Sequence, residues 1–190
     1  MKKIIFFLSL AFLIACSDSH SPKPRGFFRI DLPEKEYVKF DSIFPYAFER
    51  PVYSRFEPDT REFAEPYWAD LTFPQFRGAI HLSYKEVNSR DDLREYFEDA
   101  RSFANKHIPK ATAIRDELII DEESQMYGMF YHLRGSEVAS PIQFYVTDST
   151  DHFLRGALYF NVTPNNDSLA PVIQFLEEDI RHMLNTMSWK

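Results

Sequence analysis

The sequence predicts an α+β fold: an antiparallel sheet of about five to seven strands covered by two amphipathic helices. Three observations predict it. Two stretches, one opening at Ser89 and one running from about Leu169 to Met187, place apolar residues at helical spacing. The runs before and between them alternate apolar and polar residues with period two, as half-buried strands do. The links between the later runs are short and polar, which favours antiparallel hairpins.

Taken in order, the chain opens with Met1-Lys2-Lys3 and the apolar run Ile4 to Leu13, and closes that unit with Leu13-Ile14-Ala15-Cys16. This is the layout of a secretory signal, because the apolar run is too short to cross a bilayer. Its ending resembles the bacterial lipobox, in which the Cys thiolate accepts lipid and becomes the first residue of the mature chain. Cys16 is therefore the expected lipid-attachment site, with a membrane anchor as the consequence. The expected organisation is a signal peptide over 1–16, a polar, proline-containing tether over 17–24 and one domain over 25–190.

Arg25 to Tyr37 carries Phe27, Phe28, Ile30 and Leu32 among Pro24, Gly26 and Pro33, a composition that opposes a regular helix. It is expected to lie extended on the domain. Its aromatics either dock on the domain's own core or form a partner-binding strip of Phe27 and Phe28 flanked by Arg25 and Arg29. Phe44–Phe56 and Tyr67–Val87 read as strands punctuated by prolines, which suits edge positions. Trp68 in the second stretch is weighed as a partner-binding aromatic against a core or core-edge one.

The first helix is expected to start at a Ser89 cap and to present Leu93, Tyr96, Phe97, Ala100 and Ala104 on one face before Pro109 stops it. Strand-like runs follow at Thr112–Asp121, Met126–Leu133, Ile142–Thr147 and Phe153–Val162. The last helix is expected to be capped by Asp167 or Ser168, with Pro171 in its first turn and the acids around Glu177-Glu178-Asp179 on a solvated face. This order of elements resembles the PsbP/Mog1-like sandwich topology.

The composition excludes several functions. Cys16 is the single cysteine, so its lipidation leaves no thiol for a disulfide, a metal or a nucleophile. Loss of Lys2 and Lys3 shifts the net charge of −7 by two further negative units, which argues against nucleic acid as a partner. There is no HExxH, GxSxG, GxGxxG or P-loop pattern, and no cofactor is expected. His81, His132 and His152 sit on strand-like runs and would approach one another only if those strands were neighbours.

The stretches Pro22–Lys35 (PKPRGFFRIDLPEK), Phe44–Pro51 (FPYAFERP), Ile80–Lys85 (IHLSYK), Gln143–Phe160 (QFYVTDSTDHFLRGALYF) and Pro164–Pro171 (PNNDSLAP) resemble the gliding motility lipoprotein GldD family of the Bacteroidetes. The chain departs from the family pattern at Phe28, where the family has Tyr, and around Ala47–Arg50. The resemblance implies an envelope lipoprotein needed for gliding and for the associated type IX secretion system. It implies other gliding and secretion envelope proteins as partners, and no catalytic residue. Two alternatives stay open beside it. One is a periplasmic hydrolase with a site assembled from scattered His, Asp and Glu. The other is a small-ligand or lipid-binding module with a cavity between sheet and helix.

Overall fold

The computed structural model describes residues 30–190. The expected signal peptide with Cys16, the expected tether, and Arg25, Phe27, Phe28 and Arg29 lie outside the described residues. The strands are β1 (Tyr37–Phe40), β2 (Tyr46–Pro51), β3 (Arg55–Pro58), β4 (Ala69–Phe73), β5 (Gly78–Glu86), β6 (Ala113–Asp121), β7 (Met126–Arg134), β8 (Ile142–Thr147), β9 (His152–Phe160) and β10 (Ser188–Trp189). The helices are α1 (Arg90–Asn105) and α2 (Asn166–Asn185).

Seven strands form one sheet in the order β3-β4-β5-β9-β8-β7-β6, with every neighbouring pair antiparallel. The expected hairpins β6–β7, β7–β8 and β8–β9 are present. Asp148 shapes the last turn, its Oδ1 accepting the backbone N–H groups of Thr150, Asp151 and His152. A second sheet, β1-β2-β10, unites residues from both ends of the domain and is not distinguished by the sequence pattern.

The period-two alternation separates the two faces of the large sheet. Ile80, Leu82, Phe130, Phe144, Leu154 and Leu158 face α2 and the small sheet in the main core. α2 contributes Val172, Leu176, Ile180, Met183 and Leu184, all buried. The opposite face receives α1, whose Ala100 packs with Val87 and Phe153, supported by Tyr96, Phe97 and Tyr145. The Ser89 cap forms as expected, with Ser89 Oγ accepting Asp92 N–H at 3.1 Å.

The start of the last helix differs from the expectation. α2 begins at Asn166, and its cap is Asn165, whose side chain accepts the Ser168 N–H, in place of Asp167 or Ser168. The earlier start follows from tertiary bonds: Asn166 Nδ2 donates to the carbonyls of Gly135 at 2.8 Å and Val138 at 2.9 Å, tying the helix entrance to the β7–β8 link. Pro171 consequently falls beyond the first turn, inside the helix. No helix among the described residues is long and apolar enough to cross a membrane.

Candidate functional site

The stretch ahead of β1 meets α2 at one buried carboxylate. Asp179 of α2 is 1% exposed. Its Oδ1 accepts from Lys35 Nζ at 2.7 Å and Tyr37 OH at 2.9 Å, and its Oδ2 accepts from Tyr53 OH at 2.6 Å. Lys35 also donates to the Phe175 carbonyl at 2.6 Å, and its ammonium lies 3.4 Å from the Phe175 ring centroid. Tyr37 stacks on His182 at 3.6 Å, and His182 reaches Glu49 of β2 at 2.7 Å. The acids around Glu178 are thus only partly on a solvated face. Asp179 is a correction to that expectation, because a carboxylate on the apolar side of a helix is tolerated only when donors surround it.

Sequence reasoning missed this constellation, although one signal was present. Asp179 follows Val172 by seven residues and Phe175 by four, so it falls within the apolar stripe of α2. The partners Lys35, Tyr37 and Tyr53 carry no local sign of their role, since they come from the other end of the chain.

Burial, followed by the hydrogen bond to Asp179, raises both Tyr37 and Tyr53 above the ordinary tyrosine value of 10.0. Burial also pushes Tyr84 and Tyr131 up to about 12. The folded state therefore holds phenolic protons that the unfolded chain releases above its ordinary value. This contribution is intact below pH 10.0 and is lost as pH rises from there through the folded values. Thermal melts across that range should show stability falling with pH, and the share of the tyrosinate absorbance that belongs to Tyr37, Tyr53, Tyr84 and Tyr131 should appear only as the protein unfolds.

A cleft of about 600 Å³ lies between the first half of α2 and the ends of β7 and β8 and includes His132 and Glu177. His132 Nδ1 is 3.6 Å from Glu177, and its Nε2 is 3.8 Å from Glu117 and 3.3 Å from Arg181. Arg181 is already committed to Glu117 through both terminal nitrogens, at 3.1 and 2.9 Å, and to Glu177 at 3.0 Å. Burial lowers the His132 pKa. The arrangement is a network of paired charges, with neither a nucleophile bonded to the imidazole nor an oxyanion-binding nest in the described contacts.

The three strand histidines do not converge. His81 pairs with Asp70 on the face opposite α2, whereas His152 Nδ1 shares a hydrogen bond with Tyr84 OH at 2.7 Å and its ring stacks on Trp189. Among the described residues no cluster of three His, Cys, Asp or Glu is arranged to hold a metal. Trp68 is half-buried against the core, and its Nε1–H donates to the Tyr84 carbonyl at 2.9 Å. Its ring forms one wall of a cavity beneath α1.

The family model of the gliding motility lipoprotein GldD matches residues 17–189. The chain belongs to that family. The match spans the Asp179 node and both sheets, and the GldD family name places the chain among envelope-associated lipoproteins of gliding motility. No match is found among the curated proteins. The solution structure of cyanobacterial PsbP (CyanoP) from Synechocystis sp. PCC 6803 is similar with a TM-score of 0.49 and 12% identity, covering 84% of this chain and 95% of that one.

Proposed function

We propose that this GldD-family lipoprotein is fixed by lipid on Cys16 to an envelope membrane, faces the periplasm, and is a non-enzymatic accessory component of gliding motility and the associated type IX secretion machinery. It acts through protein contacts. Family membership supports the motility role. The observation that carries the contact reading is the side of β6, the last strand in the sheet order, that pairs with no other strand among the described residues. Leu118 and Ile120 stand there side by side, 68% and 65% exposed, on a nine-residue edge without proline.

Two experiments test the reading. Cys16→Ser should release the protein from membranes and abolish gliding, as read by fractionation and colony spreading; retained gliding with soluble protein would remove the anchored role. A photo-crosslinking residue at Leu118 or Ile120 should yield adducts with other envelope proteins of the machinery, and their absence would remove the contact role. The hydrolase alternative makes the opposite prediction for His132. On the accessory reading His132→Ala retains gliding and secretion, because the imidazole only fills a network that Arg181 and the two glutamates complete.

A further inference from the structure

The face of the sheet beneath α1 contains a cation without an acidic partner. A cavity of about 330 Å³ lies there, walled by Trp68, Tyr96 and Phe103 and reached by Lys85 and Arg155. Lys85 is neutralised by Glu65 at 2.5 Å. Arg155 of β9 is different. It is half-buried, one terminal nitrogen donates to Gln143 Oε1 at 2.7 Å, and its guanidinium carbon sits 4.6 Å from the Phe103 ring centroid. Among the described residues, no carboxylate lies within ion-pair distance of it.

Withdrawing a guanidinium from water without a counter-charge is unfavourable by several kcal/mol. The chain is rich in acidic side chains, and among the described residues none is aimed at Arg155 within that distance. Gln143, 1% exposed, turns its oxygen to Arg155 and leaves its own Nε2 without a partner. An orphaned amide of this kind lowers stability, so the arrangement keeps the cation in place at the expense of the fold.

We propose that this cavity binds a small organic monoanion, with a planar carboxylate on Arg155 and a flat apolar body between Trp68, Tyr96 and Phe103. A guanidinium presents a fork that matches a carboxylate, and the aromatic walls suit a ring. The volume is at the lower end of small-molecule sites and admits one ring with a short chain. Asp99 of α1 also lines the cavity, so a second anionic group would meet a carboxylate there. This selects one negative charge. The site is independent of the edge of β6 and of the lipid anchor.

The test is calorimetric titration of the full-length protein in detergent micelles with 3-phenylpropanoate and, separately, with its uncharged amide. The acid should bind at least about tenfold more tightly than the amide, as expected for a charge-assisted pair. Arg155→Met should reduce the acid to the level of the amide while leaving the circular dichroism unchanged. Equal affinities for acid and amide, no heat from either up to roughly 10 mM, or discrimination that survives Arg155→Met would each overturn the proposal. If Arg155→Met does not fold, the contrast between acid and amide on the unaltered protein decides alone.

Discussion

Asp179→Ala is expected to lower the unfolding free energy by about 3–5 kcal/mol, the range seen when one partner of a buried pair is removed. The substitution removes the acceptor for Lys35, Tyr37 and Tyr53 together. Lys35 keeps its bond to the Phe175 carbonyl but loses its near counter-charge, and Glu178 at 3.8 Å is too exposed to replace it. Among the described residues the two phenols have no other acceptor, so each adds an unsatisfied hydroxyl. For a domain of this length, such a loss lowers the melting temperature by roughly 10 °C. Combining Asp179→Ala with Lys35→Met should recover part of it, because the orphaned ammonium is removed as well. A double variant as unstable as the single one would show that the ion pair contributes little.

The same node has a positional consequence. Residues 30–37 lead into β1, and Asp179 fastens that stretch to the helix at the far end of the sequence. Its rupture should therefore raise proteolytic sensitivity at the start of the domain before the seven-stranded sheet is affected. Limited proteolysis of Asp179→Asn, which keeps one acceptor oxygen, separates this local release from global unfolding.

Gly128→Ala is the second change expected to be severe. Gly128 lies in β7 opposite Val146 of β8, and a Cβ there would fall on the carbonyl oxygen of Tyr145. The obstacle is backbone, so no rotamer change relieves it. Relief requires β7 to move away from β8, which also pulls Phe130 from its stacked partner Phe144 at 6.4 Å and detaches β6 from the sheet. The expected loss is about 3 kcal/mol or more, the upper end for overpacking a filled interior, and is read as loss of soluble expression or as a lowered urea midpoint. Gly78→Ala is the control. There the new methyl would meet the Phe160 ring at 3.2 Å, and a ring near the sheet end can shift by a few tenths of an ångström.

Much of the fold is legible because it rests on local pattern. Ser89 sits before an acidic first turn and a helical stripe, and the cap forms as the pattern requires. Met126–Leu133 and Ile142–Thr147 alternate with period two, and both become strands with those limits or within one residue of them. The start of α2 is misplaced because Asn165, Asp167 and Ser168 are all competent caps, and only the bonds of Asn166 to the β7–β8 link decide among them. The site is far less legible. Trp68 is visible as an aromatic, but its hydrogen bond to Tyr84 and its place beside Arg155 depend on how β4 and β5 are stacked against β9.

By itself the sequence determined the kind of elements, the hairpins between β6 and β9, the presence of a single cysteine at position 16 and membership in a lipoprotein family. These follow from spacing along the chain, where period two and period 3.6 decide which face is apolar. Tertiary structure alone decided that β5 pairs with β9 across α1, that β10 joins β2, that Asp179 gathers Lys35, Tyr37 and Tyr53, and that Arg155 stands without a carboxylate among the described residues. Each of these joins residues separated by tens of positions or more. A buried charge or an orphaned cation is a property of what surrounds it, and those surroundings arise only when distant segments pack together.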